Sequence, residues 1–375
     1  MKPKLPTISD YTQIFLENRP LLDLRAPVEF AEGAFPNATN IPLLTDDERH
    51  QVGIAYKQKG QDAAIAHGYE LVDDTEKQKR IVQWTDFVQA RPNALLYCFR
   101  GGLRSRLTQQ MLAEEVGIVV PRIVGGYKQM RRFLIDQMSL RAPQVPLIRL
   151  GGRTGVGKTA LLHTVPRSID LEGEARHKGS AFGREVEPQP TQINIDNQLS
   201  IQLIRLMKQS EQAPILIEDE GSKIGARHIS RPLWHAMEQA PVIVLEATQE
   251  ERIEQSLNDY VLTMLNDYRR ILPDEATAQQ ALREHIVSSL NRVQKRLGGL
   301  RHRAFMALAD EALNQFCESQ TLDGLRLLIG KLLIEYYDPM YDYQLGKKHN
   351  RILFSGNQSE IQHWLTEQGF TITSG

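Results

Sequence analysis

The sequence predicts an α/β protein with two parallel-sheet domains in tandem, the second carrying a helical extension. Three observations carry this. Short apolar runs recur in both halves, each bounded by turn residues and followed by helical spacing, the pattern of buried strands with crossover helices. Two of these runs, ALLYC and VPLIRL, lead into glycine-rich turns that open helices. From Glu250 to Tyr337 few residues break a helical pattern.

Taken in order, PLLDLR (Pro20–Arg25) reads as the first buried strand, and VEFAEG leads to a turn at Gly33. FPNATNIPL places turn residues before another short strand. The polar stretch from Thr45 to Arg80 reads as helix or loop, and IVQWTDFVQ as a helix. ALLYC is a strand, RLTQQMLAEEVG a helix closed by Gly117, and IVVPRIVGGY follows it. Pro143 and Pro146 mark a linker over residues 141–146, separating a domain at 1–140 from one at 147–375. In the second domain VPLIRL, APILIEDE and APVIVLEA read as strands, and TALLHTV begins a helix. Residues Arg351 to Gly375 read as a small strand–helix–strand cap.

Composition excludes several classes. The chain has 375 residues, 41% hydrophobic and 24% charged, with a formal net charge of -1. Its two cysteines cannot build a disulfide framework, which points to a reducing compartment. The start MKPKLPTISD has no apolar signal core, and no apolar run is long enough to span a bilayer. A cytoplasmic location is the expectation. Net charge near zero leaves nucleic acid open, because local basic patches decide binding. Such patches occur at Arg131–Arg132, Arg292–Arg296, Arg301–Arg303 and Lys347–His349, and solvated helix faces explain each equally well.

Two motifs carry chemistry. In YCFRGGLRS, Cys98 follows a buried strand and precedes a glycine-rich loop and a helix. Backbone N–H groups of such a loop, with Arg100 and Arg104, favour negative charge and hence the thiolate. Cys317, in a helical stretch, reads as inert packing. Further on, GGRTGVGKT contains G-x-x-x-x-G-K-[ST] as Gly152, Gly157, Lys158 and Thr159, with Gly155 between, in the strand-to-helix context of a P-loop. There the backbone cradles phosphate oxygens, Lys158 neutralises charge and Thr159 could ligate Mg²⁺. Glu218 and Asp219, at a strand end, are acidic candidates for a metal, although no motif names one. DLEGEARHKGSAFG offers Asp170, Glu172, His177, Lys178 and Ser180 as a second pocket, with a surface loop as the equal alternative.

The cysteine loop matches in form the C-x2-G-x2-R-[ST] signature of cysteine phosphatases at Cys98, Gly101, Arg104 and Ser105, but Tyr97 stands where they usually carry histidine. DLRAPVEFAEGAFPNATNIPL, Asp23 to Leu43, resembles instead the early signature of rhodanese domains, over roughly residues 10–138. Rhodaneses carry sulfur or a heavier chalcogen on the loop cysteine. The usual loop has four residues between cysteine and closing arginine, and here Phe99 to Leu103 make five. The larger loop has room for a phosphate-bearing donor.

A rhodanese-like domain joined to a P-loop NTPase-like domain, with YCFRGGLRS, the GGY at Gly125–Tyr127, GGRTGVGKT and DLEGEARHKGSAFG, closely resembles the bacterial tRNA 2-selenouridine synthases over essentially the whole chain. The resemblance implies replacement of sulfur by selenium in wobble-position 2-thiouridine of tRNA through an S-geranyl intermediate. Selenophosphate and geranyl diphosphate are the implied substrates, with no prosthetic group, and an enzyme supplying selenophosphate is an implied partner. Cys98 would carry selenium as S-selanylcysteine, while Arg100, Arg104, Gly101, Gly102 and Ser105 hold the donor phosphate. The P-loop would seat the geranyl diphosphate. The helix around Arg292–Arg303 and the tyrosines of YYDPMYDY would suit tRNA contact and base stacking, against plain packing of those tyrosines. The competing readings are a rhodanese-type sulfurtransferase or cysteine phosphatase coupled to a P-loop kinase or ATPase, and a non-enzymatic RNA-binding module.

Overall fold

A computed structural model describes residues 5–347 and 351–373. The chain forms two compact units, Met1–Arg141 with Thr191–Gln209, and Ala142–Pro190 with Ser210–Gly375.

In the first unit β1 (Thr7–Ile8), β2 (Leu21–Asp23), β3 (Ala38–Asn40), β4 (Leu95–Tyr97) and β5 (Arg122–Ile123) form a parallel sheet in the order β1-β5-β4-β2-β3. The central strand β4 is wholly buried, and its period-2 alternation divides its side chains between two cores. Leu96 joins Leu22, Ile81, Trp84, Phe87 and Leu112 on one face. Leu95 and Tyr97 join Phe35, Ile123, Met130 and Leu134 on the other.

The stretch left as helix or loop is two helices, Asp46–Leu71 and Asp74–Gln89. Each has an N-cap side chain, Thr45 accepting from the Glu48 amide and Asp73 from the Glu76 amide. Gly60 interrupts the first of them at φ 84°, a left-handed value that glycine tolerates.

Two features differ from the expected boundaries. Residues 141–146 are packed chain, because a 3₁₀ turn, Ala142–Gln144, follows directly on the helix Gly126–Arg141 and Ala142 and Val145 are buried. The helix Gln192–Gln209 belongs to the first unit although it lies between strands of the second in sequence. Its Ile201 and Ile204 complete the core around Phe15 and Phe35, which no local pattern could announce.

In the second unit β6 (Leu147–Gly151), β7 (Ser168–Ile169), β8 (Ile215–Glu218), β9 (Lys223–Ile224), β10 (Arg227–His228), β11 (Val242–Leu245) and β12 (Ile352–Gly356) are the described strands. The main sheet is parallel, ordered β12-β11-β6-β8-β7, and β9 with β10 forms a small antiparallel hairpin. The expected C-terminal cap is therefore part of the main sheet. β12 pairs with β11, the helix Gln358–Glu367 buries Ile361 and Leu365, and no closing strand follows among the described residues.

The helical extension has its own core, running from Leu257 to Tyr337 and including Leu282, Leu290, Phe305, Leu313 and Leu328. Single π-helical turns interrupt it at Asn258–Leu262 and Leu333–Tyr337, a device that often re-aims side chains at functional sites. Tyr336 and Tyr337 are buried by packing, while Tyr343 is exposed. No described helix is long and apolar enough to cross a membrane.

Of the basic clusters, Arg131 pairs with Asp196 and Arg132 with Asp136. Arg292–Arg296 and Arg301–Arg303 lie on two successive helices that break at Gly298, φ 78°. Lys348 and His349 lie outside the described residues.

Candidate active sites

The cysteine loop leaves the C-terminal end of β4 and enters the helix Leu103–Glu115, whose N-cap is Gly102. Parallel sheets bind ligands at this end of their strands. Cys98 is buried, and its Sγ donates to Ser105 Oγ at 3.3 Å while that hydroxyl donates to the Gly102 carbonyl at 3.1 Å. Backbone shapes the loop. Gly101 sits at φ 62° and Gly126 at φ 57°, and a methyl on Gly126 would overlap the Cys98 carbonyl oxygen and the Gly101 amide. The GGY turn thus closes on the loop, with the Tyr127 and Lys128 amides donating to the Cys98 and Phe99 carbonyls at 3.0 and 2.9 Å.

Beneath the loop lies a buried polar network built from the Asp-x-Arg signature. Arg25 pairs with Asp23 at 2.6 Å, both essentially without exposure, and its guanidinium stacks 3.7 Å from the Tyr127 ring centroid. Tyr97, where phosphatases usually carry histidine, donates its hydroxyl to Asp23 at 2.6 Å. Burial, then the Asp23 charge, pushes the Tyr97 phenol well above its ordinary range. Tyr97 is therefore a fixed donor holding Asp23.

The two arginines of the motif part company. Arg100 is exposed, with its guanidinium 5.9 Å from the Phe99 ring centroid. Arg104 commits both terminal nitrogens to Glu29, at 2.6 and 3.1 Å. Despite the burial of Glu29, its bonds from Arg104 and the Ala26 amide hold its carboxyl below the usual range. Glu29 is a residue that sequence reasoning missed, although the Glu-Phe of the early signature contains it. Arg122 is a second such residue, and it donates to the Gly101 carbonyl.

The phosphate loop joins β6 to the helix Lys158–His163. Gly155 and Gly157 adopt φ 83° and 85°, and Gly157 caps the helix. Lys158 Nζ reaches back to the Gly152 carbonyl at 3.1 Å, and Thr159 is exposed. The cavity over this loop has a volume of about 530 Å³ and is bordered by Gly155, Lys158, Glu172, Ser180, Glu220 and Tyr260, among others. Thr154, Tyr260 and Tyr337 border it and also a second, apolar pocket that runs among Phe182, Val261 and Leu328 in the helical core. Both tyrosines stand on the π-helical turns.

A carboxylate cluster faces Lys158. Glu218, at the end of β8, is fully buried, accepts from the Glu172 amide at 2.8 Å, and has one oxygen with no hydrogen-bond partner. Burial, followed by the charge of Asp170, pushes its carboxyl up to about 8. Burial and the neighbouring acids also raise Glu172, well above the usual range, and burial raises Glu220. Glu220 was missed, and the acidic run at the end of β8 is the signal that points to it.

Of the other second-pocket candidates, Asp170 caps the helix Leu171–Ala175 and contacts His163 at 2.9 Å. The His177 ring is half-buried with Nδ1 unpartnered, and burial lowers its proton affinity. Lys178 pairs with Asp259 at 3.0 Å. Asp219 is engaged by Arg149 at 2.9 Å in a buried pair. No set of three His, Cys, Asp or Glu among the described residues is arranged to hold a metal ion.

Comparison with known proteins bears on the whole chain. A family model described as tRNA 2-selenouridine synthase AAA domain matches residues 145–371. A tRNA 2-selenouridine synthase of Sulfurovum sp. (strain NBC37-1) is 44% identical over 364 residues, covering 97% of this chain and 99% of its own. The synthase of the same name from Marinobacter nauticus is 45% identical over 359 residues, covering 96% and 97%.

Proposed function

The chain belongs to the tRNA 2-selenouridine synthase family, and from that premise we propose a two-step exchange of sulfur for selenium at wobble-position 2-thiouridine of tRNA. In the first step the phosphate loop holds geranyl diphosphate. The thiocarbonyl sulfur attacks the allylic carbon, diphosphate leaves, and the uracil N3 proton is lost. In the second step the selenium of selenophosphate, held at the Cys98 loop, attacks C2, and water then cleaves its Se–P bond to release phosphate. The C2–Se bond forms, the C2–S bond breaks, and sulfur departs with its prenyl chain as the thiol.

The observation that carries this reading is the phosphate-loop cavity of about 530 Å³, in which Lys158 and the loop glycines share one space with Tyr260, Tyr337, Met340 and Leu345. Lys158 and the loop backbone suit a diphosphate, and the aromatic and aliphatic side chains on the same cavity offer contacts for a hydrocarbon tail. Lys158 neutralises the departing diphosphate, and the N3 proton passes to solvent. At the other site, Ser105 bonds Cys98 Sγ and Arg100 is the exposed cation for the donor phosphate. Arg104, paired to Glu29, acts by fixing the start of the helix.

Mass spectrometry of nucleosides from 2-thiouridine tRNA incubated with the protein, geranyl diphosphate and selenophosphate tests the scheme. Wild type is expected to give 2-selenouridine, and Cys98→Ala to stop at S-geranyl-2-thiouridine. Lys158→Ala is expected to lose geranylation while still selenating pre-geranylated tRNA. Equal loss of both steps in both variants would sink the division of labour.

A further inference from the structure

We propose that an apolar cavity beside the cysteine loop receives the prenyl chain of the S-prenylated uridine during selenium transfer. This rests on the two-step reading above and adds a second prenyl site, distinct from the one at the phosphate loop.

The cavity lies within the first unit and has a volume of about 340 Å³. Two helices supply most of its walls, and Leu43, Leu44, Val72 and Lys77 complete them. The helix Asp46–Leu71, bent at Gly60, contributes Val52 and Tyr56 before the break and Ile65 after it. The helix Leu103–Glu115 contributes Leu103, Leu107 and Met111, spaced four residues apart and so stacked along one face.

Position ties the cavity to the chemistry. Leu103 directly follows Gly102 of the cysteine loop, and Ser105, two residues further on, touches Cys98 Sγ at 3.3 Å. A group held at C2 of a uracil in reach of that sulfur can extend into the cavity.

Chemistry of the walls selects the occupant. The two cationic residues at its border are already neutralised, Lys77 by Glu115 at 2.6 Å and Arg104 by Glu29 at 2.6 Å. Neither remains to hold a phosphate. Tyr56 is 59% exposed at the edge. A concave apolar lining fits a small hydrocarbon ligand.

Size agrees. A dry apolar cavity of about 150 Å³ accommodates the six carbons of benzene. On that scale ten carbons require about 250 Å³, and the cavity exceeds this. Holding the chain would anchor the thioether so that C2, and no other uracil carbon, faces Cys98. It would also keep the prenyl thiol away from C2 once the bond has broken.

The test compares 2-thiouridine RNA hairpins bearing S-geranyl or S-methyl groups, in wild type, Leu107→Gln and the edge variant Tyr56→Ala. Binding is read by fluorescence anisotropy and selenation by mass spectrometry. Wild type is expected to bind and selenate the geranyl form at least tenfold better than the methyl form. Leu107→Gln is expected to lose most of that preference, and Tyr56→Ala part of it, with S-methyl turnover and geranylation from the diphosphate unchanged.

Equal loss on both hairpins, an undiminished preference, or loss of geranylation in Leu107→Gln would overturn the assignment. A wild type that prefers neither hairpin would do the same while leaving the two-step reading intact. If wild type selenates unalkylated 2-thiouridine but neither alkylated hairpin, the two-step reading itself fails.

Discussion

Glu218 offers the most direct test of how the phosphate-loop site holds its charge. Its carboxyl titrates near 8 in the folded protein against an ordinary 4.5, chiefly because burial penalises the ionised form. Between those values the folded state binds the proton and the unfolded state has released it. Stability therefore falls as pH rises from 4.5 to about 8, and the full penalty applies above that. At about 1.36 kcal/mol per tenfold in proton affinity, the gap amounts to about 5 kcal/mol if Glu218 titrated alone. Glu172 and Glu220 share the same protons, so roughly 2–3 kcal/mol is expected from this residue by the same linkage. Glu218→Gln preserves an acceptor for the Glu172 amide and removes the ionisation. Thermal unfolding followed by circular dichroism should show the variant no more than about 1 kcal/mol from wild type at pH 5. At pH 9 it should melt about 5–10 °C higher, by the usual scaling for a domain of this size. The consequence for binding follows the same sign. Wild-type affinity for pyrophosphate should drop between pH 6 and 9, and Glu218→Gln should flatten the drop. A variant displaced equally at both pH values would refute the argument, since that would mean the carboxyl is already ionised at pH 5.

Cys98→Ser should abolish selenation while stability, measured by urea denaturation, stays within about 1 kcal/mol of wild type. Gly126→Ala places a methyl against the Cys98 carbonyl and the Gly101 amide at φ 57°. It should cost at least about 1 kcal/mol and stop selenation, while calorimetry shows pyrophosphate still binding at the phosphate loop. Asp23→Asn leaves Arg25 buried without its counter-charge. A loss of about 3–5 kcal/mol in urea denaturation is expected, and a change under about 1 kcal/mol would mean that Tyr97 and the backbone carbonyls suffice.

Both loops were readable because each is written in consecutive residues: strand, glycines, then a helix start. The glycines at 101, 155 and 157 adopt the left-handed backbone such turns require. What the sequence could not display is the pairing of residues far apart along it. Glu29 and Arg104 are 75 residues apart, so nothing local revealed that one arginine of the motif was already neutralised. The helix Gln192–Gln209 has an apolar face that fits either unit, and only assembly shows that Phe15 and Phe35 cover it. The strand Ile352–Gly356 was legible as a strand, but its place beside β11 is a matter of topology. The carboxylate cluster was half visible, since Glu218 and Glu220 bracket Asp219 on one strand end. Alternation sends Asp219 to Arg149 and the two glutamates towards Lys158.

Both proposed donors are anionic, and the two sites limit the cost of binding an anion in opposite ways. At the cysteine loop the permanent cations are largely committed, Arg104 to Glu29 and Arg25 to Asp23. They fix the backbone, and in the proposed scheme the anion meets Arg100 at the surface, where solvent screens the charge. A fully unpaired guanidinium at Arg104 would bind phosphate more tightly and release it more slowly. At the phosphate loop three acids sit beside Lys158, the proposed diphosphate ligand, an arrangement that would repel an anion if all were ionised. Their raised proton affinities lessen that repulsion. An arriving diphosphate raises those affinities further, so its binding is expected to take up protons. The acids are thus compatible with an anionic ligand because burial of Glu218 and their mutual repulsion raise their proton affinity.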